Sequence, residues 1–167
     1  MESNKMREVK IEKVIISAGA TAEKLDRATK LLQIVTGMKP IRTSSKKRIP
    51  TFGVRPGLEI GCKVTLRGQK GIPLLSRLLK GIKDQLNQKQ IQDNHLSFGI
   101  EEYIEVPGIE YQRDIGIIGF NVTVVFSRAG RRVKIRKSKK GKIPKRQEVT
   151  REEIIVYMKQ NFNTEVK

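Results

Sequence analysis

Cysteine, histidine and tryptophan are almost missing from these 167 residues: Cys62 and His95 each stand alone, and there is no tryptophan. One cysteine closes no disulfide within the chain, and one thiol with one imidazole falls short of a zinc-ligand set. Cys62 falls on the apolar side of an alternating run and reads as a small core residue rather than a nucleophile. His95 lies in a polar stretch, so a Ser-His-Asp or Cys-His arrangement has no local support. The glycine groupings GQKG and PGLEIG lack both the strand-to-helix spacing and the lysine-serine ending of a phosphate loop. The reading therefore assigns no catalytic residue, no metal and no cofactor. No apolar run is long enough to cross a bilayer or to serve as a secretion signal, which points to the cytoplasm and away from membranes. Acid is the remaining scarcity. Asp and Glu number 17 against 35 Lys and Arg, a formal net charge of +18.

What is present in excess is therefore positive charge, and it is concentrated. From Arg128 to Arg146 the sequence RAGRRVKIRKSKKGKIPKR contains no acidic residue. Such a segment repels itself, gains little from folding alone, and is neutralised by a polyanion. Arg131, Arg132, Lys134, Arg136 and Lys137 are its leading RNA-contact candidates. A field of this sign attracts phosphate backbones at long range and releases their counterions on contact. A merely solubilising surface normally mixes both signs of charge.

The remaining sequence is periodic enough to fold as one domain with a basic appendage. VKIEKVII, residues 9–16, is rich in β-branched residues and reads as a first strand. Thr21 is placed to cap a helix whose apolar positions Leu25, Ala28, Leu32 and Val35 recur until Gly37. Residues 41–46 alternate weakly. Residues 58–67 alternate cleanly, with Ile60, Cys62, Val64 and Leu66 on one side and Lys63, Thr65 and Arg67 on the other. A second helix carries Ile72, Leu75, Leu79, Ile82 and Leu86 at helical steps. QLNQKQIQDN reads as a polar connection, Phe98, Ile100 and Ile104 as a further strand, and residues 117–127 as the strongest, central strand. Thr150 and Glu153 have the spacing of a capping box ahead of a terminal helix reaching about Phe162.

This order predicts an α+β fold, a two-layer sandwich in which two helices cover one face of a largely antiparallel sheet and leave the other face free. Residues 1–6 form a loose extension, 7–127 the RNA-binding domain, 128–147 the basic segment, and 148–167 a C-terminal helix and tail packed on the same domain. Arg42 and Lys46 at even spacing, with Lys63 and Arg67 on the neighbouring strand, predict a cationic lattice on the free face, suited to folded RNA. Between residues 47 and 57, prolines and glycines predict a long basic loop. In it Phe52 stands among Lys47, Arg48 and Arg55, either stacking on an exposed base or anchoring the loop to the core. Glu101, Glu102 and Glu105 form a small acidic patch.

The segments KKRIPTFGVRPG and IGCKVTLRG closely resemble the ribosomal large-subunit protein five family, the 5S rRNA binders of the central protuberance. The opening MREVKIEKVIISAGA, TGMKPIRTSSKKRI and the run FGIEEYIEVPGIEYQRDIGIIGFNVTVVFSRAG extend the likeness over nearly the whole chain. The basic segment and capped terminal helix resemble the archaeal and eukaryotic branch, the archaeal side in particular. The resemblance implies a non-enzymatic ribosomal protein that holds 5S rRNA and large-subunit rRNA. By motif, it places Arg42, Thr43, Lys46, Lys63, Thr65 and Arg67 toward rRNA. It makes Arg48, Phe52 and Arg55 contacts for peptidyl-site tRNA. It also implies neighbouring large-subunit proteins as partners and a bridge to a small-subunit head protein through residues 105–114. The competing expectation is a nonspecific DNA- or RNA-compacting protein, for which only the basic tail offers a binding element.

Overall fold

The computed structural model describes residue 4 and residues 6–167. The expected loose extension at 1–6 therefore lies, apart from Asn4 and Met6, outside the described residues. Strands β1 (Lys10–Gly19), β2 (Ile41–Ser44), β3 (Glu59–Arg67), β5 (Ile91–Gln92), β6 (His95–Ile100) and β7 (Phe120–Ser127) form one sheet in the order β2-β3-β1-β7-β6-β5. Every pair in it is antiparallel. The short strands β4 (Gln85–Leu86) and β8 (Glu165–Val166) pair in parallel and tie the C-terminus down. The architecture is the expected α+β sandwich, and β7 is central as expected.

Alternation in each long strand decides which face is buried. Val14, Ile16 and Ala18 of β1, Cys62, Val64 and Leu66 of β3, and Phe120, Val122, Val124 and Phe126 of β7 all point into the core. Helices α1 (Glu23–Thr36), α2 (Gly71–Gly81) and α4 (Arg151–Phe162) close over that face, and α3 (Arg132–Ile135) lies outside it in the basic segment. Helix α1 contributes Leu25, Ala28, Leu31, Leu32 and Val35, and α4 contributes Ile154 and Met158. The ring of Tyr157 meets Phe126 edge-on at 5.6 Å. In α2 the buried stripe is Leu75, Leu78 and Leu79, each 0% exposed, a gain of about 1.5–3 kcal/mol per side chain. Ile72, expected in that stripe, is exposed, and Ile82 and Leu86 lie beyond the helix end.

Element ends match the expectations in part. Thr21 does not cap α1; Ala22 occupies that position without a side-chain bond, and the first-turn carboxylates of Glu23 and Asp26 complement the positive helix end instead. The other end of α1 closes through Gly37, whose N–H reaches the Gln33 carbonyl at 2.8 Å, and through Arg77 of α2, which donates to the Val35 carbonyl at 2.6 Å. In α4 the expected capping box is present, Thr150 and Glu153 each receiving the other's backbone N–H. The expected strand at 117–127 begins only at Phe120. A Cβ on Gly119 would lie 2.7 Å from the Ile100 carbonyl oxygen, so the chain passes there too closely for a side chain.

Candidate nucleic-acid interface

The sheet face opposite the helices is open, and the register fixes what it presents. Residues opposite one another in an antiparallel ladder point to the same side. One row across the sheet reads Ile41, Lys63, Ser17, Asn121 and Gly99; the next reads Thr65, Ile15, Thr123 and Ser97; the third reads Arg67, Lys13, Val125 and His95. Cations thus gather on the β1–β3 half, while hydroxyl and amide groups occupy the β7–β6 half. Ser97 Oγ and Thr123 Oγ1 lie 3.0 Å apart and form a small polar ladder there. Lys63 and Arg67 stand about 13 Å apart along one strand, with Lys13 directly across from Arg67. Two like charges directly opposite each other weaken a sheet, so this pairing favours an anion lying between them.

The residues expected on this face divide. Lys63, Thr65 and Arg67 are on it, and Thr43 joins them, donating from Oγ1 to the Gly61 carbonyl at 3.0 Å. A Cβ at Gly61 would lie 3.3 Å from that same Thr43 oxygen and 2.9 Å from the Ala18 carbonyl, so only glycine allows this close strand approach. Arg42 corrects the expectation of a shared lattice. It pairs in register with buried Cys62 and so turns to the helix side, where Nη2 reaches Asp26 at 2.6 Å and Nη1 reaches Glu59 at 2.9 Å. The bond to Glu59, with that carboxylate's charge, raises the Arg42 pKa above its ordinary value. A bulge between Thr43 and Ser44 and the end of β2 at Ser44 break the even spacing, leaving Lys46 exposed at the entry to the next loop. Residues 9–16 were expected only as a strand, with no face assigned, so Lys13 was not singled out. Strand parity, applied outward from Val14 and Ile16, would have found it.

The loop between β2 and β3 is a hairpin rather than an irregular crossing. Ser45 N–H reaches the Leu58 carbonyl at 2.8 Å, and Ile49 and Val54 exchange bonds of 2.9 and 3.1 Å. Its tip is a tight turn, Pro50–Phe52, closed by Gly53. Val54, 7% exposed, anchors the hairpin, whereas Phe52 is 80% exposed and touches no core. Arg48 and Arg55 are exposed on either side. That leaves an aromatic ring between guanidinium groups at the tip of a short ribbon.

The basic segment is fastened at its root. Arg128 pairs with Glu153, the same carboxylate that caps α4, and its Nη1 reaches the Arg146 carbonyl at 3.0 Å. Gln147 donates to the Ala129 carbonyl at 2.9 Å, and Arg131 pairs with Glu12 where β1 bulges. From these fastenings Arg132, Lys134, Arg136 and Lys137 project into solvent, as do the lysines beyond them. Like charge is thus tolerated outside because opposite charge closes the base.

Elsewhere the chemistry is spare. Cys62 is buried, and that burial pushes its thiol pKa up, away from the reactive thiolate. Among the described residues no group of three His, Cys, Asp or Glu side chains is placed to hold a metal. Glu101, Glu102 and Glu105 are all exposed, and Tyr103 between them is fully buried, accepting the Gln112 N–H at 2.9 Å. Ile104, expected in a strand, is exposed in the turn that follows β6.

Residues 4–55 match the family model described as ribosomal protein L5, and residues 59–157 match the model for the C-terminus of the same ribosomal family. The large ribosomal subunit protein uL5 of Methanosphaera stadtmanae is 43% identical over 153 residues, covering 91% of each chain. That of Sulfolobus acidocaldarius is 40% identical over 168 residues, covering 99% of this chain and 94% of its own. That of Nanoarchaeum equitans is 39% identical over 164 residues, covering 96% and 97%.

Proposed function

The chain belongs to the ribosomal protein L5 family, in its archaeal branch, and on that premise we propose that it fastens 5S rRNA to large-subunit rRNA in the central protuberance. It is a structural, non-enzymatic constituent of the large subunit of the cytoplasmic ribosome. The observation that carries the finer reading is the open sheet face, where Lys13, Lys63 and Arg67 lie beside Ser97, Asn121 and Thr123. Cations there meet phosphates. The hydroxyl and amide groups meet ribose 2′-hydroxyls and base edges, which is how folded RNA is told from DNA.

Arg132, Lys134, Arg136 and Lys137 on the basic loop engage rRNA phosphates outside that face, while Arg131, paired with Glu12, fastens the root of the loop. The hairpin tip, with Arg48, Phe52 and Arg55, contacts peptidyl-site tRNA, the exposed ring stacking on a base or ribose. The acidic and apolar surface around Glu105, Glu110, Tyr111 and Asp114 bridges to a basic protein of the small-subunit head. Thr43 on the sheet face and Lys46 at the entry to the hairpin belong to the same RNA surface. Arg42, turned toward α1, holds that edge in place.

Binding of the intact protein to isolated 5S rRNA at near-physiological salt, with a tRNA and a DNA duplex of similar length as competitors, tests this reading. A clear preference for 5S rRNA supports it. Equal binding to all three contradicts it and favours nonspecific compaction.

A further inference from the structure

We propose that the root of the basic loop is a receptor for one unstacked RNA base. The inference rests on the reading of this loop as an RNA contact and adds what the loop selects. Beneath the loop lies a cavity of about 100 Å³, room for several water molecules rather than one. Phe126 and Ile143 give it apolar walls, and Asn94, Ser127 and Gln147 give it a polar edge.

Charge argues against a phosphate as occupant. Arg128 and Arg131 line the cavity, but each is already paired, with Glu153 and Glu12 respectively. Lys134 and Glu148 add one charge of each sign. The near-neutral rim offers an anion little, while Arg132, Arg136 and Lys137 stand exposed further out with no ion pair among the described residues. Hydrogen-bond capacity argues for a base. Asn94 uses its side-chain oxygen on the Val149 N–H and keeps its amide nitrogen; Gln147 uses its amide nitrogen on the Ala129 carbonyl and keeps its oxygen. Arg128 Nε is buried and has no partner among the described residues. The cavity therefore presents both donors and an acceptor. A base edge carries both complements, whereas a phosphate only accepts.

Titrating the full chain with nucleoside 5′-monophosphates and with ribose 5-phosphate, read on the side-chain amide NMR signals of Asn94 and Gln147, tests this. We expect the nucleotides to shift both signals and ribose 5-phosphate to leave them in place. Equal shifts with both ligands, or none with either, overturn the proposal. Filling the cavity by Ile143→Trp should weaken 5S rRNA binding about tenfold with an unchanged salt slope, as loss of one stacked base would; unchanged affinity in a folded variant overturns it too. Should that variant not fold, the titration of the intact chain still decides. The parent reading fails separately: if Arg136→Ala/Lys137→Ala/Lys139→Ala keeps the full salt slope, the loop does not contact RNA.

Discussion

The open sheet face and the basic loop both carry positive charge, yet they are built in opposite ways. On the sheet, three cations are spaced by strand geometry and interleaved with hydroxyl and amide groups, on a backbone held in the β3–β1–β7 ladders. In the loop, cations follow one another along an exposed chain, and only the base is fixed, through Arg128, Arg131 and Gln147. A preformed array discriminates by shape, because an RNA that does not match its spacing leaves charges unmet. A dense exposed run is tolerant of shape and supplies counterion release. On the proposed function, the comparison places preference for an RNA mainly in the sheet, and salt-dependent affinity mainly in the loop.

The largest effect should come from the loop. Replacing Arg136, Lys137, Lys139 and Lys140 by alanine should lower the log-log salt slope of rRNA binding by about 0.7–0.9 for each phosphate no longer neutralised, while the preference for 5S rRNA over tRNA persists. Binding measured across a salt series checks this; a vanished preference with an intact slope would reverse the assignment of roles. Next comes the fastening. Arg128→Ala removes a charge-assisted pair and a carbonyl bond at a half-buried site, and should cost about 1.5–3 kcal/mol of stability in a denaturant melt. No change would mean that the loop root is not held by Arg128. Phe52→Ala should weaken tRNA binding by about 1–3 kcal/mol and leave the melting temperature alone, since the ring is 80% exposed. A falling melting temperature would instead make Phe52 an anchor. The smallest effect concerns Cys62. Burial raises its thiol pKa, so the folded state holds the proton more tightly than the unfolded state; stability is full below the unfolded thiol pKa and falls as pH rises through the folded one. The thiol should resist a disulfide reagent until the chain unfolds.

Most of the fold was legible because alternation and helical spacing are written locally. Cys62, Val64 and Leu66 against Lys63, Thr65 and Arg67 announced both faces of β3, and Thr150 with Glu153 announced the start of α4. What was not legible depended on partners distant in sequence. Nothing local shows that Arg42 meets Asp26 and Glu59, or that the bulge in β2 ends its alternation. The strands β4 and β8 are two residues each, too short for any periodicity, and exist because each pairs with the other. Lys13 was hidden for a different reason: in a β-branched run, one lysine reads as an interruption until the register sets it opposite Arg67. The expectation that the basic segment waits for a polyanion did not foresee the carboxylates of Glu12 and Glu153 closing its root.

The most direct test of the division between face and loop is the affinity of Lys13→Ala/Lys63→Ala/Arg67→Ala for 5S rRNA relative to tRNA. Removing facing like charges should leave this variant at least as stable as the parent, by up to about 1 kcal/mol. The account predicts that its preference for 5S rRNA collapses toward equality with tRNA while binding to a DNA duplex is little changed. A preference equal to that of the intact protein would contradict it, because selection would then lie outside the sheet.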